Sequence, residues 1–491
     1  MKYSSLNEID FSASFAALPD TFYSHVKPTA LEQAVELVHF NNHVAEMLGL
    51  ESDIRNSQDF VEVFSGNKVF ENMQPLAMLY SGHQFGHYVP QLGDGRAIML
   101  GEISHEQQRW EIQLKGSGQT PYSRSGDGRA VLRSTIREYL CSEAMHRLGI
   151  PTTRALSITR SDDEVYREEI ETAAVLTRVA PSHIRFGSFE VFFYRDHHEN
   201  LKTLADFVIK HHYPELLDAK NPYLALLEHV IERTAMLIAQ WQCVGFSHGV
   251  MNTDNMSILG ITLDYGPFGF MEAYDPGFIC NHSDHHGRYA FDQQPQIGLW
   301  NVTCLAQALT PLIEIDEAKA ALEQYQSQFT QFYFKGMTAK LGLDTVSETN
   351  VNLIGHLLTL MQQSRADFSR TFRLLSSITK DGKTPVTELR DMFIDRQAFD
   401  EWCIAYCTQL KLQDKSDSQR KLEMDKTNPK YVLRNYMAQT AIEKAEKEND
   451  YSEVDRLIRL LQSPFDEHPD MEHYADAPPD WAENIQVSCS S

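Results

Sequence analysis

The 491-residue sequence has no apolar run approaching the roughly 20 residues that a helix needs to cross a bilayer. Its start, MKYSSLNEIDFSASF, lacks the apolar stretch of a secretory leader. Both absences point away from a membrane, and a cytoplasmic location is expected. Positive charge is scarce too: 44 Lys and Arg stand against 68 Asp and Glu, for a formal net charge of -24. So acidic a surface excludes broad binding to nucleic acid, which takes a clustered basic face to neutralise phosphates. A local basic pocket remains compatible with it. Cysteine is sparse and irregularly spaced. The seven are Cys141, Cys243, Cys280, Cys304, Cys403, Cys407 and Cys489, with no CxxC pair, so neither a disulfide framework nor a zinc ribbon is indicated. Most fit as small buried hydrophobes, whereas Cys489 sits on a polar tail with no core to fill. Repeats and low-complexity blocks are absent.

What is present is the composition of an ordinary folded protein, 42% hydrophobic and 23% charged. Residues 31 to 50, LEQAVELVHFNNHVAEMLGL, place apolar positions at helical spacing and predict a helix. From about 76 to 120, glycines cut the chain into short β-type runs, and Gly93-Asp94-Gly95 joins two of them as a hairpin turn would. Leu132, Ile136, Leu140, Ala144 and Leu148 form one stripe, a helix ending at Gly149. ALSITRS and TAAVLTRVA read as strands, and residues 223 to 243 as a helix leading into a polar loop, a short strand and a second carboxylate loop. Helices dominate beyond about 297, and the acidic, proline-bearing end from 466 reads as a mobile tail.

The chemistry concentrates in HGVMNTDNMSILGITLDYG, residues 248 to 266, where Asn255 and Asp264 flank an apolar stretch. In a kinase-like site an Asn on the catalytic loop and an Asp opening the next turn jointly hold Mg²⁺ against nucleotide phosphates. An amide oxygen and a carboxylate are the hard donors that ion prefers. The alternative is an Asx-rich surface turn. Upstream, Lys115 ends the strand-like WEIQLK and Glu138 follows on the next helix, in the order of the lysine–glutamate pair that positions ATP in kinase-like folds. Periodicity does not choose Glu138 uniquely: Glu143 lies nearer the apolar stripe and competes for that role, with a solvated surface charge as the plain alternative for either. Glycine-rich stretches, Gly93-Asp94-Gly95-Arg96 and GSGQTPYSRSGDGR, offer backbone amides to phosphates beside Arg96, Arg124 and Arg129. A protein kinase carries HRDxxxxN; counting back from Asn255 gives His248, Gly249 and Val250, so the usual base is missing. Asp254 is the nearest replacement carboxylate, as a base or as an Asx turn that orients Asn255.

These stretches, with YSGHQFGHYVPQLGDGRA, RVAPSHIRFGSFE and NPKYVLRN, resemble the selenoprotein O family over residues 76 to 435. The resemblance implies an α+β, protein-kinase-like bilobal fold. An N-terminal extension with a helix would span 1–75, a β-rich lobe 76–200 and a helical lobe with the catalytic and metal loops 201–320. A helical region would follow over 321–465 and an acidic tail over 466–491. It implies a protein adenylyltransferase that binds ATP turned end for end and moves AMP onto Ser, Thr or Tyr hydroxyls. UTP would be an alternative donor, giving UMP on His or Tyr, and Mg²⁺ or Mn²⁺ the metal. By the same resemblance Gly93, Gly95, Arg96, Lys115, Asp127, Gly128, Arg178 and Arg185 contact the nucleotide, Asp254 accepts the proton, and Asn255 with Asp264 hold the metal. It favours Glu138 over Glu143 as partner of Lys115. It also implies a redox-sensitive disulfide from Cys489 to a cysteine near the active-site loop, with Cys280 the candidate and two free thiols the alternative. Partners would be nucleotides and acceptor proteins, with no nucleic acid, no membrane and no requirement for a multimer. The rival readings are a non-catalytic nucleotide-binding pseudokinase scaffold, suggested by Val250, and a kinase that transfers the γ-phosphate.

Overall fold

A computed structural model describes residues 2–382 and 386–487. Its centre is an eight-stranded antiparallel sheet. In chain order the strands are β1 (Tyr23–His25), β2 (Val35–Phe40), β3 (Leu76–Met78), β6 (Ala97–His105), β7 (Gln108–Lys115), β8 (Ala130–Val131), β9 (Arg154–Tyr166) and β10 (Ile170–Ala180). A separate hairpin, β4 (Gly82–Gln84) with β5 (His87–Val89), interrupts the path from β3 to β6. In space the order is β1-β3-β6-β7-β10-β9-β2, with β8 paired to β10. The first 75 residues thus supply β1 and β2 to this sheet.

Both sheet faces are covered, which is why β10 reads as a nearly unbroken apolar run. One face packs Leu100, Ile112, Leu114 and Val175 against the short helices α1 (Asn42–Met47) and α2 (Gln58–Phe64). The other meets α3 (Leu132–Arg147), whose Leu132, Ile136 and Leu140 join a core shared with α4 (Phe186–Tyr194), α5 (His198–His212), α6 (Pro222–Val244) and α7 (Gln294–Ala308). Helices farther along, including Glu348–Ser364 and Arg396–Lys411, enclose a third core around Trp402 and Tyr406. No helix among the described residues is long and apolar enough to cross a membrane.

Four local expectations are corrected. Residues 31–50 are not one helix: β2 pairs with β9 before α1 begins. VELVHF satisfies a period of two as well as 3.6, and the free edge of the 13-residue β9 decides between them. Gly93-Asp94-Gly95 closes no hairpin. The tight connection is Glu106-Gln107 between β6 and β7, both at positive φ, while Asp94 ties back to β3, its side chain accepting from the Met78 amide at 3.0 Å. The apolar stretch after Asn255 is not a strand but a turn closed by a Met256–Thr262 bridge. Of the segment after 466, the described residues, to Val487, pack on the rest of the chain: Tyr474 is buried and donates to Glu453, and the His282 amide donates to the Val487 carbonyl at 2.8 Å.

Candidate active site

Lys115 is the last residue of β7 and Arg178 lies on the adjacent β10, so the two cations emerge from one sheet face. α3 crosses that face and presents Glu138, which accepts from the Lys115 ammonium and from Arg178 Nε at 2.5 Å. A second carboxylate closes the group. Asp264 Oδ1 accepts from Arg178 Nη2 at 2.5 Å, from Lys115 at 3.3 Å and from the Tyr265 amide at 3.0 Å. Burial opposes every charge here. It pulls the Lys115 ammonium below its ordinary value against the attraction of Asp264 and Glu138. It would raise Asp264, but Arg178, Lys115 and Arg96 outweigh it and hold that carboxyl well below the usual range. The choice left open on α3 is thereby settled in geometry: Glu138 meets Lys115, while Glu143 makes a bidentate pair with Arg154 at 2.8 and 2.7 Å.

The carboxylate loop is delivered by α6, which hands over to β11 (Phe246–Ser247); β12 (Gly269–Phe270) pairs back on β11. Between them lie Asp254, Asn255 and Asp264. The Asp254 main-chain oxygen accepts from Arg185 Nη1 at 2.8 Å, and Arg185 itself is sandwiched 4.4 Å over the Tyr80 ring. Asp254 Oδ2 accepts from Gln84 Nε2 at 3.1 Å, and Oδ1 is buried with no hydrogen-bond partner. Burial pushes this carboxyl up to about 6, against the opposing pull of Gln84 and Arg185. The β4–β5 hairpin therefore sits directly on the loop. The His83 amide donates to Thr253 Oγ1 at 2.7 Å; Glu190, beneath, accepts from Thr253 at 2.5 Å and from His83 Nδ1 at 2.6 Å. The donor atoms of His83, Glu190 and Cys304 lie within 4.8 Å of one another, and each Glu190 oxygen already accepts one of the two hydrogen bonds just given. Such close approach needs glycine: a Cβ on Gly187 would stand 2.0 Å from the Ser81 carbonyl oxygen.

One cleft of about 600 Å³ is lined by Gly93, Gly95, Arg96, Lys115, Asp127, Gly128, Arg178, Arg185, Asp254, Asn255 and Asp264. Every expected nucleotide, metal and base residue is thus brought together, with Glu138 just behind Lys115. Seven Lys or Arg and four Asp line the cleft, a basic pocket in a chain of net charge -24. Asp127, Arg167 and Arg129, farther out on the lining, carry structural bonds as well. Asp127 is tied to Arg167 at 2.7 and 2.9 Å, and Arg129 donates to the Thr29 and Ala30 carbonyls. Gly128 has φ +70, and its missing Cβ would lie 2.0 Å from the Gly118 oxygen, so the glycine-rich loop can fold onto itself only as glycine. Asn255 Nδ2 donates to the Val250 carbonyl at 3.0 Å, so its amide oxygen is the atom that could face a hard divalent cation, and the Asp264 carboxylate lines the same cleft.

Sequence reasoning missed Tyr80, Gln84 and Arg167 as cleft residues. Gln84 was visible only as part of YSGHQFGHY, and its contact lies 170 residues away along the chain. Cys280 is buried beside the loop, its thiol donating to the Pro267 carbonyl at 2.7 Å and pushed up to about 12 by burial. Cys489 lies outside the described residues.

A family model described as protein adenylyltransferase SelO matches residues 5–462. The chain is 56% identical over 493 residues to protein nucleotidyltransferase YdiU of Thioalkalivibrio sulfidiphilus, covering 99% of each chain. It is 53% identical to the protein of that name from Thiobacillus denitrificans and 51% identical to that from Myxococcus xanthus, again with 99% of each chain covered. Identity above half along almost the entire length, on top of the family match, establishes that this chain belongs to the SelO family of protein adenylyltransferases.

Proposed function

We propose that this chain transfers a nucleotidyl group, AMP from ATP, to Ser, Thr or Tyr hydroxyls of acceptor proteins, breaking the α–β phosphoanhydride bond and releasing pyrophosphate. The observation that carries the proposal is the buried group of Lys115, Glu138, Arg178 and Asp264 opening into the same cleft as Asp254 and Asn255. Lys115, Arg178, Arg185 and Arg96 bind the phosphates, with Gly93, Gly95, Asp127 and Gly128 forming the rest of the cradle. Asn255 and Asp264 hold Mg²⁺ or Mn²⁺, which when bound neutralises charge on the reacting phosphate. Asp254, buried and bonded to Gln84, accepts the proton of the attacking hydroxyl. The sheet, the α3 glutamate and the carboxylate loop support a kinase-like two-lobed reading of the fold. The missing base at Val250 supports a nucleotide turned so that its α-phosphate, not its γ-phosphate, faces Asp254. UTP is the alternative donor, with UMP going to His or Tyr, and the enzyme acts as a cytoplasmic monomer.

The decisive experiment supplies α-labelled and, separately, γ-labelled ATP with Mg²⁺ or Mn²⁺ and a mixture of acceptor proteins. Label from the α position, lost in Asp264→Ala, is the expected result, and α-labelled UTP extends it to the second donor. Label from γ alone makes the chain a kinase; no label from either, with nucleotide still bound, makes it a scaffold.

A further inference from the structure

Beside the nucleotide cleft runs a second groove of about 760 Å³, lined in part by Phe85, Ile279, Ile297, His285, His286 and Arg288. Phe85 lines both openings, so the two adjoin at this residue. We propose that this groove docks the acceptor polypeptide as an extended segment, with one apolar side chain close to the modified residue seated between Phe85 and Ile279. The inference rests on the protein-transferase reading above and adds to it where the acceptor lies and what it must carry.

The first support is conformational. Phe85 has φ +49, a left-handed backbone that costs a bulky residue about 1 kcal/mol or more. The surroundings impose it. The Phe85 amide donates to Asn252 Oδ1 at 3.2 Å and to the Tyr289 hydroxyl at 2.9 Å, and Tyr289 donates to the same Asn252 oxygen at 2.5 Å. The ring leans on Tyr289 with centroids 5.1 Å apart. Yet this costly arrangement does not bury the side chain: Phe85 stays 38% exposed and Ile279, on the same groove, 43%. A fold that strains its backbone to hold an aromatic ring in the open at the lip of a reaction site is keeping a contact surface there.

The second support is reach. Gln84, next to Phe85, bonds the Asp254 carboxylate. An extended chain advances about 3.3 Å per residue, so a segment crossing Phe85 brings a hydroxyl one or two residues farther on to Asp254. Under the hairpin tip, Arg288 stacks on Trp300 at 4.7 Å, and its Nε and Nη2 have no hydrogen-bond partner. Arg288 lines the groove, so these unpaired donors place a demand for carbonyl oxygens at its wall.

The test uses soluble peptide libraries with a fixed Ser, Thr or Tyr and randomised flanks, incubated with the full chain, α-labelled ATP and Mg²⁺. Labelled peptides are then sequenced. Enrichment of Leu, Ile, Met or Phe by about tenfold at one position within two residues of the hydroxyl is expected, the size of discrimination a single apolar pocket gives. Phe85→Ser and Ile279→Ser should each cut it to about twofold, and the Ile279 variant keeps the test valid if the hairpin variant misfolds. A flat flank profile from an enzyme that labels peptides overturns the docking proposal alone, as does a profile unchanged in both variants or a library left unlabelled while whole proteins are labelled. An enzyme that labels nothing from α-labelled ATP brings down the transferase reading and this proposal together.

Discussion

Replacing Glu138 by glutamine removes one negative charge from a buried set of two cations and two carboxylates while changing its volume hardly at all. The Glu138 side chain is 2% exposed, Lys115 6% and Arg178 4%, so solvent cannot take over the lost charge. Asp264, 27% exposed, would face both cations alone. Removing one partner of a buried pair costs about 3–5 kcal/mol. The amide still accepts one hydrogen bond, which places Glu138→Gln near the lower end, at about 3 kcal/mol. Transfer should fall further than stability explains, by about 10²-fold per folded molecule, because Lys115 loses the contact that fixes its position and misplacement by about 1 Å costs that much. Urea denaturation and α-label transfer measure the two effects. Glu143→Gln is the control: its pair with Arg154 is equally buried, so stability should drop, but no atom of it lines the cleft and transfer should hold. Wild-type turnover in Glu138→Gln, or an equal loss of transfer in Glu143→Gln, refutes the assignment.

Gly187→Ala should lower stability by at least about 2 kcal/mol and slow transfer, since the obstructing Ser81 oxygen is backbone and lies across from Asp254; unchanged thermal unfolding would contradict the close packing. Glu111 is buried, and desolvation pushes its carboxyl from 4.5 up to about 8. Because the folded state binds this proton more tightly, the stability it contributes is full below pH 4.5 and is lost as pH rises to about 8. Glu111→Gln should therefore match wild type near pH 4.5 and exceed it at pH 8 by on the order of 4 kcal/mol, with denaturation midpoints as the readout.

Much of this was legible because local signals agreed. α3 carried an apolar stripe and a glycine stop, α6 an apolar stripe, and both formed as read. The order of Lys115, Glu138, Asn255 and Asp264 anticipated the cleft, since strand end, helix and loop each place one group. Choosing Glu138 over Glu143 from periodicity was impossible for a physical reason: both glutamates point inward, and what separates them is which arginine or lysine lies opposite on the sheet. Residues 31–50 failed because an edge strand was open to pairing, a tertiary fact that six ambiguous residues do not encode. Gln84 was hidden because its partner comes from the far end of a long loop closure, and no spacing rule reports on that.

The charge arrangement explains why the candidate residues belong together as a unit. In this structure two of the four cations that would meet the phosphates, Lys115 and Arg178, are already neutralised by Glu138 and Asp264, and Asp264 is already engaged by both. On the proposed reading, a divalent cation arriving alone meets a carboxylate whose charge is spent, with Lys115 and Arg178 close by to repel it. A triphosphate arriving alone meets Lys115 and Arg178 with their charge spent and carboxylates close by to repel it, which leaves mainly Arg96 and Arg185 to hold it. When both arrive, the phosphates take over the cations while the metal takes over Asp264, and each displaced attraction is replaced by one of the same sign within the same low-dielectric space. Nucleotide and metal then bind each other's site into being, whereas Glu138, which touches only protein, keeps Lys115 in place throughout.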